Sequence, residues 1–291
     1  MKRRVAGGLV IGSMVCAAMA APAPSGPPDL SAAAPAPIAP WATAALDYNG
    51  VFARYGNLWF DPIPEAPDGK PIQAIRVRGP DRDNIYAGNS DNPILQPWAR
   101  EIVKANADSE LRREHVYTAD DTCWPSGVPQ AVNLLDGVQF LPAKDHIVII
   151  YQRNHQVRWI WMDQGHSANV KPSWYGESIG RFEGTTLVVD TIGIKAHKMS
   201  VVDPFGTPHT DQIHVVERYE PFRTPFGTGT GLFVTVRVED PGAFTMPWTG
   251  TAEYRSLRIP DNDEMICAEN NRSFTEGSTF GTIPVEETPQ F

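Results

Sequence analysis

Between residues 130 and 268 the chain runs through nine strand-length stretches, 130–141, 146–152, 156–163, 177–182, 185–194, 212–221, 232–240, 249–258 and 263–268. Turn chemistry such as Ala143-Lys144-Asp145, Arg153-Asn154-His155 and Glu183-Gly184-Thr185 separates them. Short links favour antiparallel neighbours. A meander of about nine strands leaves two unpaired edges unless the sheet closes on itself. The pattern therefore predicts a mainly β fold, an antiparallel up-and-down barrel of lipocalin-like form, able to hold one small ligand inside. The alternative is an open β-sandwich, in which the same alternation fills a solid core.

Upstream of this body the composition changes three times. Lys2, Arg3 and Arg4 precede an apolar run to about Ala18 and an Ala18-Met19-Ala20 cleavage pattern, so residues 1–20 read as a signal peptide. The run is too short for a membrane anchor, and Gly7, Gly8, Gly12 and Ser13 weaken it further. Residues 21–43, rich in Ala and Pro and nearly uncharged, read as a disordered linker. Residues 44–114 read as a loop-rich arm with one helix over 93–109, where Ile94, Leu95, Trp98, Ile102 and Val103 recur at helical spacing and Asp91 or Asn92 could cap. The barrel domain is expected over 115–274, with a C-terminal tail at 275–291.

This layout predicts a periplasmic or secreted protein with no membrane insertion after cleavage. Loss of the leader removes Cys16 and leaves Cys123 and Cys267, which are expected to form a disulfide in an oxidising compartment; two buried free thiols are the alternative. The formal charge is −9, from 25 basic and 34 acidic residues, and cleavage makes it more negative. With no Lys/Arg run after the leader, nucleic acid and anionic membranes are excluded as partners. A small-molecule ligand is the expected partner, and nothing in the chain sets an oligomeric state.

Polar chemistry is densest between Asp163 and Arg218. In the strand 212–221, Ile213, Val215, Glu217 and Tyr219 share one face, so Glu217 sits in an apolar row. A carboxylate there is either paired, with Arg237 or Arg255 as candidate partners, or functional. His209 follows a turn-like Phe205-Gly206-Thr207-Pro208 just before that strand, and His166 follows Asp163-Gln164-Gly165 after another. Imidazole suits acid–base work near neutral pH. His166, His209, Asp190 and Glu217 are the expected catalytic residues. Trp174, Tyr175, Ser178, Glu183, Arg218 and Trp248 are expected to bind substrate, with Trp159 and Trp161 as further aromatic surface. Trp159 and Trp161 lie on one strand face, opposite Arg158, Ile160 and Met162, and one of the two rows must face inward. The remaining histidines read as surface or packing residues.

Several motif classes are absent or weak. There is no zinc-helix histidine pair and no Cys-x-x-Cys, so no metal is expected, and no nucleotide loop or other cofactor motif appears. Gly176-Glu177-Ser178-Ile179-Gly180 matches Gly-x-Ser-x-Gly but lacks the α/β setting of a hydrolase nucleophile. Its glycines read instead as turn and strand-end positions.

A further set of residues carries a resemblance. Pro97-Trp98-Ala99, Cys123-x-Pro125-x-Gly127-x-Pro129, Pro172-x-Trp174-x-Gly176-x-Ser178-x-Gly180 and Phe182-Glu183-Gly184-x-Thr186-Leu187-Val188-Val189-Asp190-Thr191-x-Gly193 open the pattern. Gly206-x-Pro208-His209-Thr210, Glu217-Arg218-Tyr219, Glu239-Asp240-Pro241, Pro247-Trp248 and Cys267-x-Glu269-Asn270-Asn271 complete it. The set is similar to that of a large family of exported bacterial proteins and covers roughly residues 93–272. Two departures fall among the chemical residues: Asp163-Gln164-Gly165 stands where the family has Asp-Gly-Arg, and Glu177 where it has His. The resemblance implies one exported domain and brings no activity with it.

The sequence thus leads to an exported, cofactor-free lyase, isomerase or hydrolase acting on a small aromatic, terpenoid or glycosidic substrate in a barrel cavity. The alternative is a non-catalytic, lipocalin-like carrier of a small apolar ligand.

Overall fold

The computed structural model describes residue 48 and residues 50–64, 66–78, 84–114, 116–223, 230–257 and 264–267. The expected leader at 1–20, linker at 21–43 and tail at 275–291 lie outside the described residues, as does His115.

Among the described residues, twelve strands and one α-helix follow in chain order: β1 (Gly50–Tyr55), β2 (Asp61–Pro62), β3 (Ala74–Arg78), β4 (Asn84–Gly88), α1 (Pro97–Leu111), β5 (Val138–Pro142), β6 (His146–Tyr151), β7 (Gln156–Met162), β8 (Glu177–Glu183), β9 (Thr186–Ile192), β10 (His214–Arg223), β11 (Thr230–Glu239) and β12 (Trp248–Leu257). Nine of the strands, β1 and β5 to β12, form one closed barrel. β1 closes it, pairing with β12 from Val51↔Leu257 to Tyr55↔Glu253 and with β5 from Gly50↔Phe140 to Phe52↔Val138. β2 adds a short pairing on β12, and β3 with β4 forms a separate hairpin.

The ring obeys a parity rule. Strand direction must return to itself after one circuit, so an odd number of strands cannot alternate throughout and one parallel pair is required. That pair is β7 and β8, in register from Ile160↔Ser178 to Met162↔Gly180, while the other barrel pairings are antiparallel. The connection 163–176 carries the chain back between the two, and the pairing covers only part of β7. The all-antiparallel expectation fails at this one pair; the other long link, 193–213 between β9 and β10, still joins antiparallel neighbours.

Closure draws on a different strand from the one expected. The arm at 44–114 contributes β1 to the barrel wall, whereas 263–268 holds no strand among its described residues 264–267, only a bridge from Met265 to Arg153. The run 130–141 is also divided: Gln130–Asn133 forms a 3-10 turn and only Val138–Pro142 is a strand. The helix begins four residues later than its apolar pattern. Asn92 Oδ1 accepts the Ile94 N–H at 3.1 Å, Leu95 bridges to Phe244, and Pro97 occupies the first turn, where its missing N–H is harmless. The buried stripe of α1 is Ala99, Val103 and Ala107, and Trp98 and Ile102 remain exposed.

Inward rows of the barrel are large and mostly apolar. Phe140, Ile149, Tyr151, Val189, Tyr219, Val234 and Tyr254 are buried and belong to the single core cluster. The Tyr48 hydroxyl accepts the Leu187 N–H at 2.9 Å and lies 2.6 Å from the Tyr219 carbonyl. These side chains occupy the lumen.

Cys123 and Cys267 form a disulfide with Cα atoms 5.4 Å apart, and no helix among the described residues is long and apolar enough to cross a membrane. A disulfide-bonded barrel of this kind is compatible with export.

Candidate functional site

The inward row of β7 is Arg158, Ile160 and Met162, and Trp159 and Trp161 point outward. An arginine has thus been folded into the lumen at 1% exposure, opposite Glu217 at 0%. Its guanidinium donates to both Glu217 oxygens, with Nη1 to Oε1 at 3.0 Å, and further to Thr191 Oγ1 at 2.8 Å and Ser178 Oγ at 3.0 Å. The Tyr219 hydroxyl donates to Glu217 Oε1 at 2.8 Å. Burial pulls the Arg158 guanidinium down, but the adjoining Glu217 carboxylate overrides it and holds it well above its ordinary value.

Glu217 is therefore paired, with a partner other than those expected. Arg237 lies on the outer face, bound to Asp68 and Glu239, and Arg255 binds Glu253 and stacks on Tyr55. An inward side chain meets the far wall of the lumen; the outward residues of neighbouring strands are behind it.

Where β7 and β8 part, this network becomes the floor of an open groove of about 710 Å³. One wall is the outward row of β7, Val157, Trp159 and Trp161; the other is the connection segment, with Asn169, Val170, Lys171, Ser173 and Trp174; Arg158, Tyr175 and Ser178 lie between. Trp159 and Trp161 are stacked with nearly parallel planes, 16° apart with centroids 5.9 Å apart, and His146 of β6 packs against both at 4.8 and 5.2 Å. Trp174 is held by Trp124 and His197, at 5.6 and 5.5 Å, with Lys195 over its ring. Tyr175 stacks on Tyr151 and its hydroxyl donates to Gln156 Oε1 at 2.5 Å; burial lifts that hydroxyl well above its ordinary range, so it stays protonated.

The Gly-x-Ser-x-Gly stretch shapes this split. Gly176 has φ +60°, and a Cβ there would lie 2.4 Å from the Ile192 carbonyl oxygen. Ser178 points into the lumen to Arg158, and a Cβ on Gly180 would meet Ile160 Cγ2 at 2.6 Å. The serine is a buried structural ligand of the guanidinium.

A second polar group lies on the outer face of β8, β9 and β10. His166 Nδ1 is 3.1 Å from Glu177 Oε1 and its Nε2 is 3.0 Å from Asp190 Oδ1, and His214 Nε2 is 2.9 Å from the same Asp190 oxygen. Ser167 donates to Glu177 through its backbone N–H at 2.7 Å and its hydroxyl at 2.5 Å. The Ser167 hydroxyl, then its N–H and His166, hold the Glu177 carboxyl below the usual range. Burial pushes Asp190 up, but the bond from His166 and the charge of His214 outweigh it and leave it lowered. These contacts fasten the connection segment to the barrel wall beside the groove.

His209 is elsewhere again, buried under residues 197–213. Its Nδ1 faces the Thr210 carbonyl at 2.9 Å, which only accepts, so Nδ1 donates and Nε2 accepts from the Ser200 hydroxyl at 2.7 Å. Burial pulls the ring down in pKa and keeps it neutral. Ser200 and His209 are both closed off from solvent.

The four expected catalytic residues thus occupy three places: Glu217 in the lumen, Asp190 with His166 outside the barrel, and His209 beneath a loop. Among the expected binding residues, Trp174, Tyr175 and Ser178 line the groove. Trp248 is core, against Phe60 and Phe244, and Glu183 with Arg218 forms a surface ion group together with Arg181. Sequence reasoning passed over Arg158 and His214. The signal for the first was a lone cation in the aliphatic row Ile160 and Met162. His214 lies on the outward face of β10, as Asp190 does on β9, but only the observed register brings them together. Among the described residues no group of three or more His, Cys, Asp or Glu side chains is placed to hold a metal ion.

Comparison of the chain with protein-family models, with curated proteins and with solved structures finds no match.

The same loop contains a buried acid with a measurable signature. Asp203 Oδ1 accepts the N–H groups of Phe205 at 3.0 Å and Thr207 at 3.3 Å, and burial lifts its carboxyl from 3.8 to about 6. Between those pH values the folded chain holds a proton that the unfolded chain has released, so stability falls as pH rises through the window. The loss is about 3 kcal/mol by linkage. Asp203→Asn keeps the Oδ1 acceptor and removes the titration. Urea unfolding at pH 4 and pH 7 is expected to show the variant gaining on the native chain at the higher pH; an unchanged difference between the two would show that Asp203 ionises without penalty.

Proposed function

We propose that the protein is an exported, non-catalytic binding protein that takes a small, uncharged ligand with a flat face in the groove between β7 and the connection segment. The observation that carries this reading is the groove itself, walled by Trp159, Trp161 and Trp174 and open to solvent. Concave, aromatic-lined sites with a few polar groups are the usual form of small-molecule sites. The acid–base candidates support binding over catalysis. Both Glu217 oxygens and both nitrogens of His166 and His209 are engaged by the protein, which leaves none of them poised to move a substrate proton. The disulfide supports placement in the periplasm or outside the cell.

Titration with the neutral fluorophore N-phenyl-1-naphthylamine tests the reading. One-site saturable binding is expected, weakened about tenfold or more by Trp174→Ala, in line with the loss of a buried aromatic anchor. His209→Ala, checked for an intact fold, should leave it unchanged. Binding that ignores Trp174 and Trp161 replacement would place the ligand elsewhere and overturn the proposal.

A further inference from the structure

Resting on the groove reading, we infer that the ligand is a short peptide segment, bound in extended form as an added strand along the unpaired edge of β7. Hydrogen-bond direction locates that edge. Successive residues of a strand turn their backbone groups to opposite sides. Met162 donates its N–H to the Asp145 carbonyl on the β6 side at 3.0 Å, and Asp163 donates to the Gly180 carbonyl on the β8 side at 2.8 Å. Arg158 and Ile160 therefore bond towards β6, and Val157, Trp159 and Trp161 turn the other way. On that side β8 pairs only from Ile160↔Ser178 onward. The Val157 N–H and carbonyl and the Trp159 N–H are left facing the groove, with no hydrogen-bond partner among the described residues.

The chain itself vacates the lane beside these groups. Gly176, at φ +60°, turns the connection segment away from β7, and Ser173 bonds instead to residues after β9, donating to the Gly193 carbonyl at 3.1 Å and accepting the Lys195 N–H at 2.8 Å. Donors and acceptors repeated along a strand edge are matched by another extended backbone, and such edges are where proteins take on a foreign strand. A flat hydrocarbon in the lane would leave the same groups without partners, at a cost for each. At ~3.3 Å per residue the edge from Val157 to Trp159 takes about three residues of peptide. Side chains of the added strand alternate between the groove floor, with Arg158 and Ser178, and the outer side, where Val157 and Trp159 are exposed and Trp174 stands across from them. An aromatic or branched side chain on the outer side supplies the ligand's flat, apolar face. Asn169, Lys171 and Ser173 of the far wall offer polar groups to the segment's second edge.

The experiment is displacement of N-phenyl-1-naphthylamine from the purified protein by capped, uncharged tetrapeptides, acetyl-Thr-Xaa-Thr-Ala-amide with Phe, Tyr, Trp or Leu as Xaa, followed by calorimetric titration. At least one peptide is expected to bind and displace the fluorophore. Versions of it carrying one N-methyl group, placed on each amide nitrogen in turn, separate strand pairing from side-chain contact. Only every second residue of an added strand bonds to β7, so methylation at alternate residues should weaken binding about tenfold or more, and at the residues between them much less. Val157→Pro, which deletes an edge donor, should also weaken the unmethylated peptide about tenfold. Proline is tolerated at an edge position whose N–H is not in the ladder, so circular dichroism is expected to be kept; if the variant unfolds, the methylation series decides alone. If the fluorophore binds through Trp174 but no peptide displaces it, the peptide inference fails and the groove reading stands. If neither binds, both fail. If a peptide binds and its methylated forms show no alternation, or Val157→Pro folds and binds it unchanged, β7 does not pair with it and the inference fails.

Discussion

Glu217→Ala lowers the free energy of unfolding by about 3–5 kcal/mol, the range for breaking a buried ion pair from one side. The loss comes from what is left behind. Arg158, 1% exposed, keeps its charge with no carboxylate beside it, and the Tyr219 hydroxyl loses its acceptor. Thr191 and Ser178 still accept from the guanidinium, but neutral hydroxyls do not offset a buried cation. The double variant Arg158→Met with Glu217→Leu is the informative partner. It removes both charges and fills the space with apolar atoms, and such replacements are often neutral or stabilising. Its unfolding free energy in urea is therefore expected well above that of Glu217→Ala and close to the native chain. If Glu217→Ala costs less than about 1 kcal/mol, water reaches the pair and the lumen is not sealed from the groove at that level. Binding reports separately: Arg158 and Ser178 floor the groove, so the double variant alters affinity even where stability is kept.

The pairing also marks where sequence reasoning stops. Alternation within 212–221 is enough to place Glu217 in an inward row, because strand periodicity is local. Its partner is fixed by which strands face each other across a closed lumen, and that follows only after the ring order is known. The same limit explains Trp159 and Trp161. Alternation separates them from Arg158, Ile160 and Met162 but gives no sign, and composition points the wrong way, since the row with a charge is the one inside.

Ring closure was legible as a need and misread in detail. Residues 50–55 were missed as a strand because Arg54 alternates with Phe52 on an inward row and prolines and glycines surround the run. The groove was not legible at all. It exists because an odd ring demands one parallel pair, and the long connection that this pair requires stands away from β7 and carries Trp174 to the opposite wall. The acid–base cluster was half legible: His166 and Asp190 do meet, and His214 joins them through the β9–β10 register. His209 was read as a loop residue over a cavity, but it is buried, with its ring nitrogens bonded to the Ser200 hydroxyl and the Thr210 carbonyl.

Removing the disulfide, by Cys123→Ser with Cys267→Ser, is expected to lower stability by about 5 kcal/mol, because the bridge joins residues 144 apart and the chain-entropy effect grows with loop length. The effect should also reach the groove. Asn154 donates its N–H to the Met265 carbonyl at 2.7 Å and accepts the Cys267 N–H through Oδ1 at 2.7 Å, so residues 264–267 are laid on the β6–β7 turn with the disulfide at their end. Next to that turn, Arg153 binds Asp120 at 2.5 Å and Asp136 at 2.6 Å, which fixes the segment ahead of Cys123. Trp124 follows directly and packs on Trp174, the groove's far wall. Loosening one end of this chain of contacts loosens the wall. Urea unfolding of the double-serine variant, together with fluorophore titration, is expected to show both a lowered midpoint and weaker binding. A midpoint within about 1 kcal/mol of the native chain would mean that the ion pairs of Arg153 hold the segment without the bridge. Lost stability with unchanged affinity would uncouple Trp124 from the ligand and leave Trp174 held by His197 and Lys195.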